Sequence, residues 1–291
     1  MPLLLTALAL LALAASLYLL WKARWGKPCR DLPGVLTFHK VTGFEFGGTW
    51  MTPRRFERML DSLLGSGYSF IGEDRFLECL DGKVTAGDKE VLLTFDDGYS
   101  MLSDSAVPAL RERNIPALFF MVTSYAGREN SWELSLPGRR SVHMGWDEVE
   151  SISSDPLFTF GSHSRSHRDL TRLSDEQLSQ ELEVSRQVIG HYTGREPRTI
   201  SYPFGRVDAR VAEATAGAGY DAAFTLYPGG RADRTDRMSL RREGVWIIDT
   251  PATVRAKLSR GRAFWFEDVK GRAINAVASI TPLFSRKSPF E

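Results

Sequence analysis

Apolar positions along this chain fall into three patterns. Residues 2–21 form one unbroken, uncharged run, PLLLTALALLALAASLYLLW. Twenty residues at a helical rise of about 1.5 Å span roughly 30 Å, the depth of a bilayer's hydrocarbon core. Beyond that run, short apolar and β-branched stretches alternate with segments whose apolar residues return every three or four positions. The short stretches predict strands at 34–41, 68–71, 90–95, 117–122, 158–162, 199–202, 222–226 and 244–248. The periodic segments predict helices. The first opens at Thr52-Pro53, carries Phe56, Met59, Leu60, Leu63 and Leu64 on one face, and can end at Gly65 or Gly67. Others are predicted at 74–80, 103–113, 146–151, 175–192, 207–218 and 251–260, with Ser174 and Gln177 forming a capping box ahead of residue 175. The third pattern has no period. Residues 127–143 (GRENSWELSLPGRRSVH) read as a surface loop near one rim.

Alternating strands and helices imply parallel strands with helices outside. Seven or eight such units predict an α/β fold, a closed or nearly closed (β/α) barrel of about seven parallel strands preceded by one transmembrane helix. The expected organisation is an anchor at 2–21, a linker at 22–33, the barrel domain at 34–254 and a basic, aromatic tail at 255–291. The tail holds eight Lys/Arg against three acids, interleaved with Phe264, Trp265, Phe266 and Phe284. That pattern fits either a solvated final helix or a segment lying on anionic lipid.

Composition changes this picture little. The chain has 291 residues, 43% of them hydrophobic, and a net charge of +1, which makes no electrostatic case for nucleic acid. Cys29 and Cys79 make neither a disulfide framework nor a CxxC metal site. No Lys or Arg precedes the apolar run, which favours an uncleaved anchor over a signal peptide. Lys22, Arg24, Lys27 and Arg30 all follow it, and the positive-inside rule then keeps the remainder in the cytoplasm.

Chemistry gathers at strand ends. The predicted strand 90–95 runs into Asp96-Asp97-Gly98, two carboxylates that are costly there unless paired, hydrogen-bonded or metal-bound; an Asx-turn is the plainer alternative. Strand 158–162 runs into His163-Ser164-Arg165-Ser166-His167. If residues 164–167 begin a helical turn, both imidazoles can face one point, and two His with one carboxylate leave a zinc-like ion open positions. Tyr202-Pro203-Phe204-Gly205 alone reads as a turn, and His39, at the end of the first strand, alone reads as a structural residue. A barrel would bring these four strand ends to one face.

TFDDG at 94–98, HSRSH at 163–167 and YPFG at 202–205 resemble, in order and spacing, the signature motifs of the polysaccharide deacetylases, the NodB-like carbohydrate esterases of family 4. The resemblance covers roughly residues 34–250. It implies a distorted barrel, with a divalent metal, zinc or alternatively cobalt or nickel, held by Asp97, His163 and His167. It further implies Asp96 as general base, and Tyr202, Pro203, Phe204 and Gly205 at the substrate, with the Phe204 N–H on the oxyanion. Two departures stand out. Ser201 occupies the place where many members carry an Arg that tethers the base, and Arg241 or Arg242 could substitute. The late Leu-x-His, whose His is the acid in many members, has no counterpart after His191. Phe38-His39, Thr52-Pro53-Arg54-Arg55-Phe56 and Gly67-Tyr68 are similar to the poly-N-acetylglucosamine deacetylases, in which an early His takes the acid's place; this raises His39 as general acid.

The resemblance implies a hydrolase that removes N-acetyl groups from amino sugars. The substrate would be an N-acetylated glycan, as a polymer facing outward or as a lipid-linked precursor at the cytoplasmic face of a single-pass membrane protein. An inactive glycan-binding module and an amidase on a non-sugar C–N bond remain the alternatives.

Overall fold

Most of the apolar stretches become strands of one barrel. The protein is seen in a computed structural model that describes residues 32–45, 48–133, 140–226, 236–259 and 264–278. Its strands are β1 (Gly34–Phe38), β2 (Lys40–Val41), β3 (Trp50–Met51), β4 (Ser69–Ile71), β5 (Glu90–Phe95), β6 (Ala117–Met121), β7 (Phe158–Ser162), β8 (Thr199–Ser201), β9 (Ala222–Leu226) and β10 (Leu240–Gly244). Eight of them form one parallel sheet in the order β1-β10-β9-β8-β7-β6-β5-β4. A further pairing of β1 with β5, from Gly34↔Val91 to Phe38↔Phe95, closes seven of the eight into a ring. The first half of β5 also pairs with β4, and its second half with β6.

The period of two sorts residues between the faces of this ring. Val35, Leu92, Leu118, Phe120, Ala222, Phe224 and Leu240 pack together, joined by Phe76 and Leu77 of the helix Glu73–Leu80. The next inward positions toward the strands' C-terminal ends are polar: Thr37, Thr94, Asp96 and Arg242. The barrel is therefore apolar at one end and charged at the other. On the outer face Leu36, Phe38, Leu93 and Phe95 pack with Phe56, Met59, Leu60 and Leu63 of the helix Pro53–Gly65. Each such side chain contributes about 1.5–3 kcal/mol by burial. Pro53 starts that helix at its first turn, and Gly67, at φ +80°, allows the chain to turn back after it. The capping box of Ser174 and Gln177 starts the helix Asp175–Thr193, with both bonds at 3.3 Å.

Three predicted elements fall differently. Residues 34–41 are not one strand: β1 stops at Phe38, and Lys40–Val41 pairs with Trp50–Met51 in a separate two-stranded sheet. His39 sits at that break. The last barrel strand is Leu240–Gly244 rather than 244–248. Its sequence, LRREG, hides it, because Arg241, Arg242 and Glu243 are covered by ion pairs instead of being apolar. The apolar residues that follow make a turn, in which the Trp246 N–H is taken by the Asp249 carboxylate (2.8 Å). Finally, residues 127–143 are not a surface loop throughout: Asn130, Trp132, Ser141 and His143 are buried.

Past the barrel, the helices Pro251–Ser259 and Phe264–Ala278 lie against it through charge. Lys257, fully buried, donates to the Gly244 carbonyl (2.7 Å) and to Asp249 (2.6 Å), whose other oxygen accepts from Lys270 (2.8 Å). The predicted anchor at 2–21 and Cys29 lie outside the described residues. Among the described residues, no helix is long and apolar enough to cross a membrane.

Candidate active site

β5 and β7 deliver the acids and histidines to the charged end of the barrel. Immediately after β5 the chain must turn sharply, and Asp97 and Gly98 both take left-handed backbone angles, φ 68° and 60°. Gly98 is required twice over, since a Cβ there would lie 2.2 Å from the Met121 sulfur. After β7, Ser164 and His167 are likewise left-handed (φ 64° and 57°), as is Phe204 (φ 58°) after β8. Only one other described non-glycine residue, Asn114, shares this conformation. Each such residue costs of order 1–3 kcal/mol, so the strain of this fold is concentrated at one face.

The two histidines thus converge by a different route from the helical turn predicted for 164–167. No helix forms there, and the left-handed residues fold the loop back on itself. The Ser164 hydroxyl accepts from the His167 N–H (3.1 Å), and Glu181 accepts from the Ser166 N–H (2.8 Å), holding the fold from behind.

Asp97, His163 and His167 each offer one donor atom, all within 4.8 Å of one another and all buried. His163 Nε2 lies 3.5 Å, and His167 Nε2 3.4 Å, from Asp97 Oδ1, which has no hydrogen-bond donor among the described residues. Donors about 2.1 Å from a tetrahedral ion would stand roughly 3.4 Å apart, so this set fits a zinc-like ion in spacing and donor type. His163 Nδ1 meets the Ser201 carbonyl at 2.7 Å, which puts its proton there and leaves Nε2 as the ligand nitrogen. Burial pushes His163 down to about 4 and His167 well below the ordinary value, so both are neutral, the ligand form, at pH 7. Burial, then the charges of Glu133 and Asp96, push Asp97 well above the usual carboxylate range.

Asp96 is treated oppositely. Arg242 reaches across the barrel from β10 and grips both its oxygens, at 2.7 Å each. The same guanidinium donates to Ser201 Oγ (2.7 Å), Thr37 Oγ1 (3.1 Å) and Thr94 Oγ1 (3.2 Å). Burial alone would raise the Asp96 carboxyl, but Arg242 outweighs it and holds the group well below the usual range. Of the two arginines considered as substitutes at Ser201, Arg242 makes this pair. Arg241 points to the other face of β10, toward Glu243 (2.8 Å) and Asp268 (2.6 Å).

His39 is half-buried beside Asp96, since the two follow the register partners Phe38 and Phe95. Burial lowers its pKa, against the opposing charges of Asp96 and Glu133. Of Tyr202, Pro203, Phe204 and Gly205, only the last two reach the surface. Phe204 meets the His167 ring edge-on at 4.7 Å. Tyr202 is buried with Leu178, Leu182, Val211 and Tyr220 beneath the helices, which corrects its expected place at the substrate. Pro203 is buried as well.

Four residues of the site escaped the sequence reading. His143, fully buried, meets the Asp97 backbone carbonyl through Nδ1 at 2.7 Å. Burial pushes it down to about 4. Trp132 stacks on His167, with centroids 4.1 Å apart and planes 11° apart. Glu133 pairs with Lys40, whose ammonium lies 4.6 Å above the Tyr99 ring. The available signal was the scarcity of histidine: of five in the chain, four are here.

Residues 83–223 match the family model described as Polysaccharide deacetylase. The chain is 24% identical over 216 residues to the poly-beta-1,6-N-acetyl-D-glucosamine N-deacetylase of Staphylococcus epidermidis, covering 70% of each chain. Among solved structures it resembles the Streptococcus pyogenes deacetylase PplD in complex with acetate (TM-score 0.68, 19% identity, 78% of this chain and 97% of that one). It also resembles IcaB from Ammonifex degensii (TM-score 0.64, 22% identity, 79% and 97%).

Proposed function

This chain carries a polysaccharide deacetylase domain, and from that premise we propose that it is a metal-dependent hydrolase that removes N-acetyl groups from an N-acetylated glycan. One observation carries the reading: Asp97, His163 and His167 converge beside a second carboxylate, Asp96, that is already neutralised by Arg242. A relative that shares 24% identity with this chain is itself named for deacetylating poly-N-acetylglucosamine.

A divalent ion held by Asp97, His163 and His167 would supply Lewis acidity and an activated water. The remaining work falls to the chain's own groups. Asp96, kept ionised by Arg242, accepts the proton of the attacking water. That proton must end on the departing amine. His39 lies beside Asp96 and is neutral at pH 7, so it is suited to relay the proton rather than bring one of its own. In this reading the backbone N–H of Phe204, in its strained turn (φ 58°), serves the developing oxyanion, and its ring, half exposed, offers one wall to the sugar.

Membrane attachment through residues 2–21, with lipid contact from the basic tail, is part of the same proposal. The charges after the run favour a cytoplasmic face and a lipid-linked glycan, whereas a polymeric substrate would place the domain outside. A reporter fused after Glu291 that works only outside the cytoplasm would rule out the first arrangement. The reaction itself is tested by acetate release from N-acetylglucosamine oligomers, after chelation and after adding back zinc or cobalt. Release that returns with the ion supports the reading. Release that is indifferent to chelation, or absent from a folded, metal-loaded protein on every glycan tried, contradicts it.

A further inference from the structure

The two imidazoles of the site are oriented by different means. His163 is fixed by a hydrogen bond from its Nδ1 to the Ser201 carbonyl, 2.7 Å. His167 has no such bond: its Nδ1 is buried and without a partner among the described residues. A ring with no hydrogen bond behind it can pivot about its side-chain torsions, and a pivoting ligand binds an ion poorly. Something else must set its plane. The Trp132 indole lies nearly parallel to it at 4.1 Å (11°), and Phe204 meets it edge-on at 4.7 Å (68°).

Trp132 is itself held on several sides. The Tyr125 ring meets it edge-on at 4.7 Å (85°), and His143 packs at 5.1 Å. Its backbone N–H and that of Glu133 both donate to Asn130 Oδ1, at 2.9 and 3.0 Å. The Asn130 amide in turn donates to the Tyr99 hydroxyl. The next side chain, Glu133, accepts from Lys40 (2.5 Å), which is almost wholly buried and also lies 3.8 Å from Glu45. A buried ammonium needs a carboxylate partner, so Lys40 pins this stretch of chain to β2, just past the first barrel strand.

We infer that Trp132 is a positioning residue of the metal centre: its indole, pinned by Asn130 and by the Lys40–Glu133 ion pair, fixes the plane of His167 in place of the hydrogen bond that His167 lacks. The inference rests on the metal reading above. It assigns Glu133 a role at one remove, through Trp132, and gives the segment after Arg128 a task that its irregular sequence does not announce.

The test uses the metal alone. The full-length protein is stripped, titrated with cobalt(II), and followed by its visible absorption band and by competition with a chelator. Wild type should bind one equivalent. Trp132→Ala should lose roughly 10- to 100-fold in affinity, the range seen when a ligand's supporting partner is removed, and its band should change in intensity. Trp132→Phe keeps a flat ring and should recover most of that loss. Glu133→Gln should fall between wild type and Trp132→Ala. A Trp132→Ala protein that folds, binds cobalt with wild-type affinity and gives an unchanged band overturns the inference. If Trp132→Ala does not fold, Glu133→Gln decides: a wild-type band and affinity there overturn it equally. Wild type that binds no cobalt removes the metal reading itself, and this inference with it; wild-type binding that Trp132→Ala leaves untouched removes the inference alone.

Discussion

Asp96 and Asp97 are consecutive, equally buried and chemically identical, yet the two sides of the site treat them as opposites. On the side of β10, one arginine holds both oxygens of Asp96, and its two terminal nitrogens also donate to two threonines and a serine. On the side of β7, Asp97 faces two neutral imidazoles and further negative charge from Glu133, which Lys40 and Tyr99 offset only in part. The first charge is neutralised from within the chain; in the proposed function the second receives a cation from outside. A proton acceptor must stay ionised and free of the ion, and an ion ligand must be short of partners. Under the proposed function the difference between the two sides is a division of labour, set by which strand stands opposite each carboxylate.

The comparison breaks most visibly at Asp96. Asp96→Asn should lower acetate release by roughly 10²–10⁴-fold, the usual contribution of a general base, while bound metal stays near one equivalent. Loss of metal along with activity would mean that the two carboxylates share one task. Removing the cation instead should strike stability. Arg242→Met strands a buried carboxylate, and urea unfolding should report a loss of roughly 3–5 kcal/mol. Arg242→Lys should recover only part, because an ammonium cannot match the two-pronged grip. Adding Asp96→Asn to Arg242→Met should restore much of the stability, since the stranded charge is then gone.

Asp97 should behave with the opposite sign. Its folded-state pKa is raised, so in chelator-treated protein its ionisation costs stability as pH rises above the unfolded value of about 3.9. Asp97→Asn should flatten that decline and raise the stability of the stripped protein at pH 7 by about 1–3 kcal/mol, read by unfolding at several pH values. For Asp96, whose folded pKa is lowered, stability is present above the unfolded value and is lost as pH falls toward the folded one. The smallest effect belongs to Ser201→Ala. It removes the 2.7 Å bond from Arg242 but keeps the carbonyl that serves His163, and should cost about 0.5–1.5 kcal/mol with less than a tenfold change in turnover.

Much of the barrel could be read from the chain because it obeys simple periods. Strands such as Glu90–Phe95 and Phe158–Ser162 are apolar runs and appear where the runs are. Leu240–Gly244 was illegible for a physical reason: ion pairs bury three of its charged residues, and a pattern of hydrophobicity cannot see charges that are covered by pairing. The site divides in the same way. Asp96, Asp97, His163 and His167 stand in short local motifs. Arg242 could be narrowed only to one of two neighbours, because the choice depends on which face of β10 points inward. Trp132, Glu133 and His143 lie in a segment without a period, and they reach the site only through the path of the folded loop.

The most direct test is the metal content of Asp96→Asn and Asp97→Asn after equilibrium dialysis against zinc. The division of labour predicts one bound ion per chain in Asp96→Asn and a large loss of zinc in Asp97→Asn, at equal protein and with both proteins folded. Wild-type zinc in Asp97→Asn, or an empty Asp96→Asn, would contradict it.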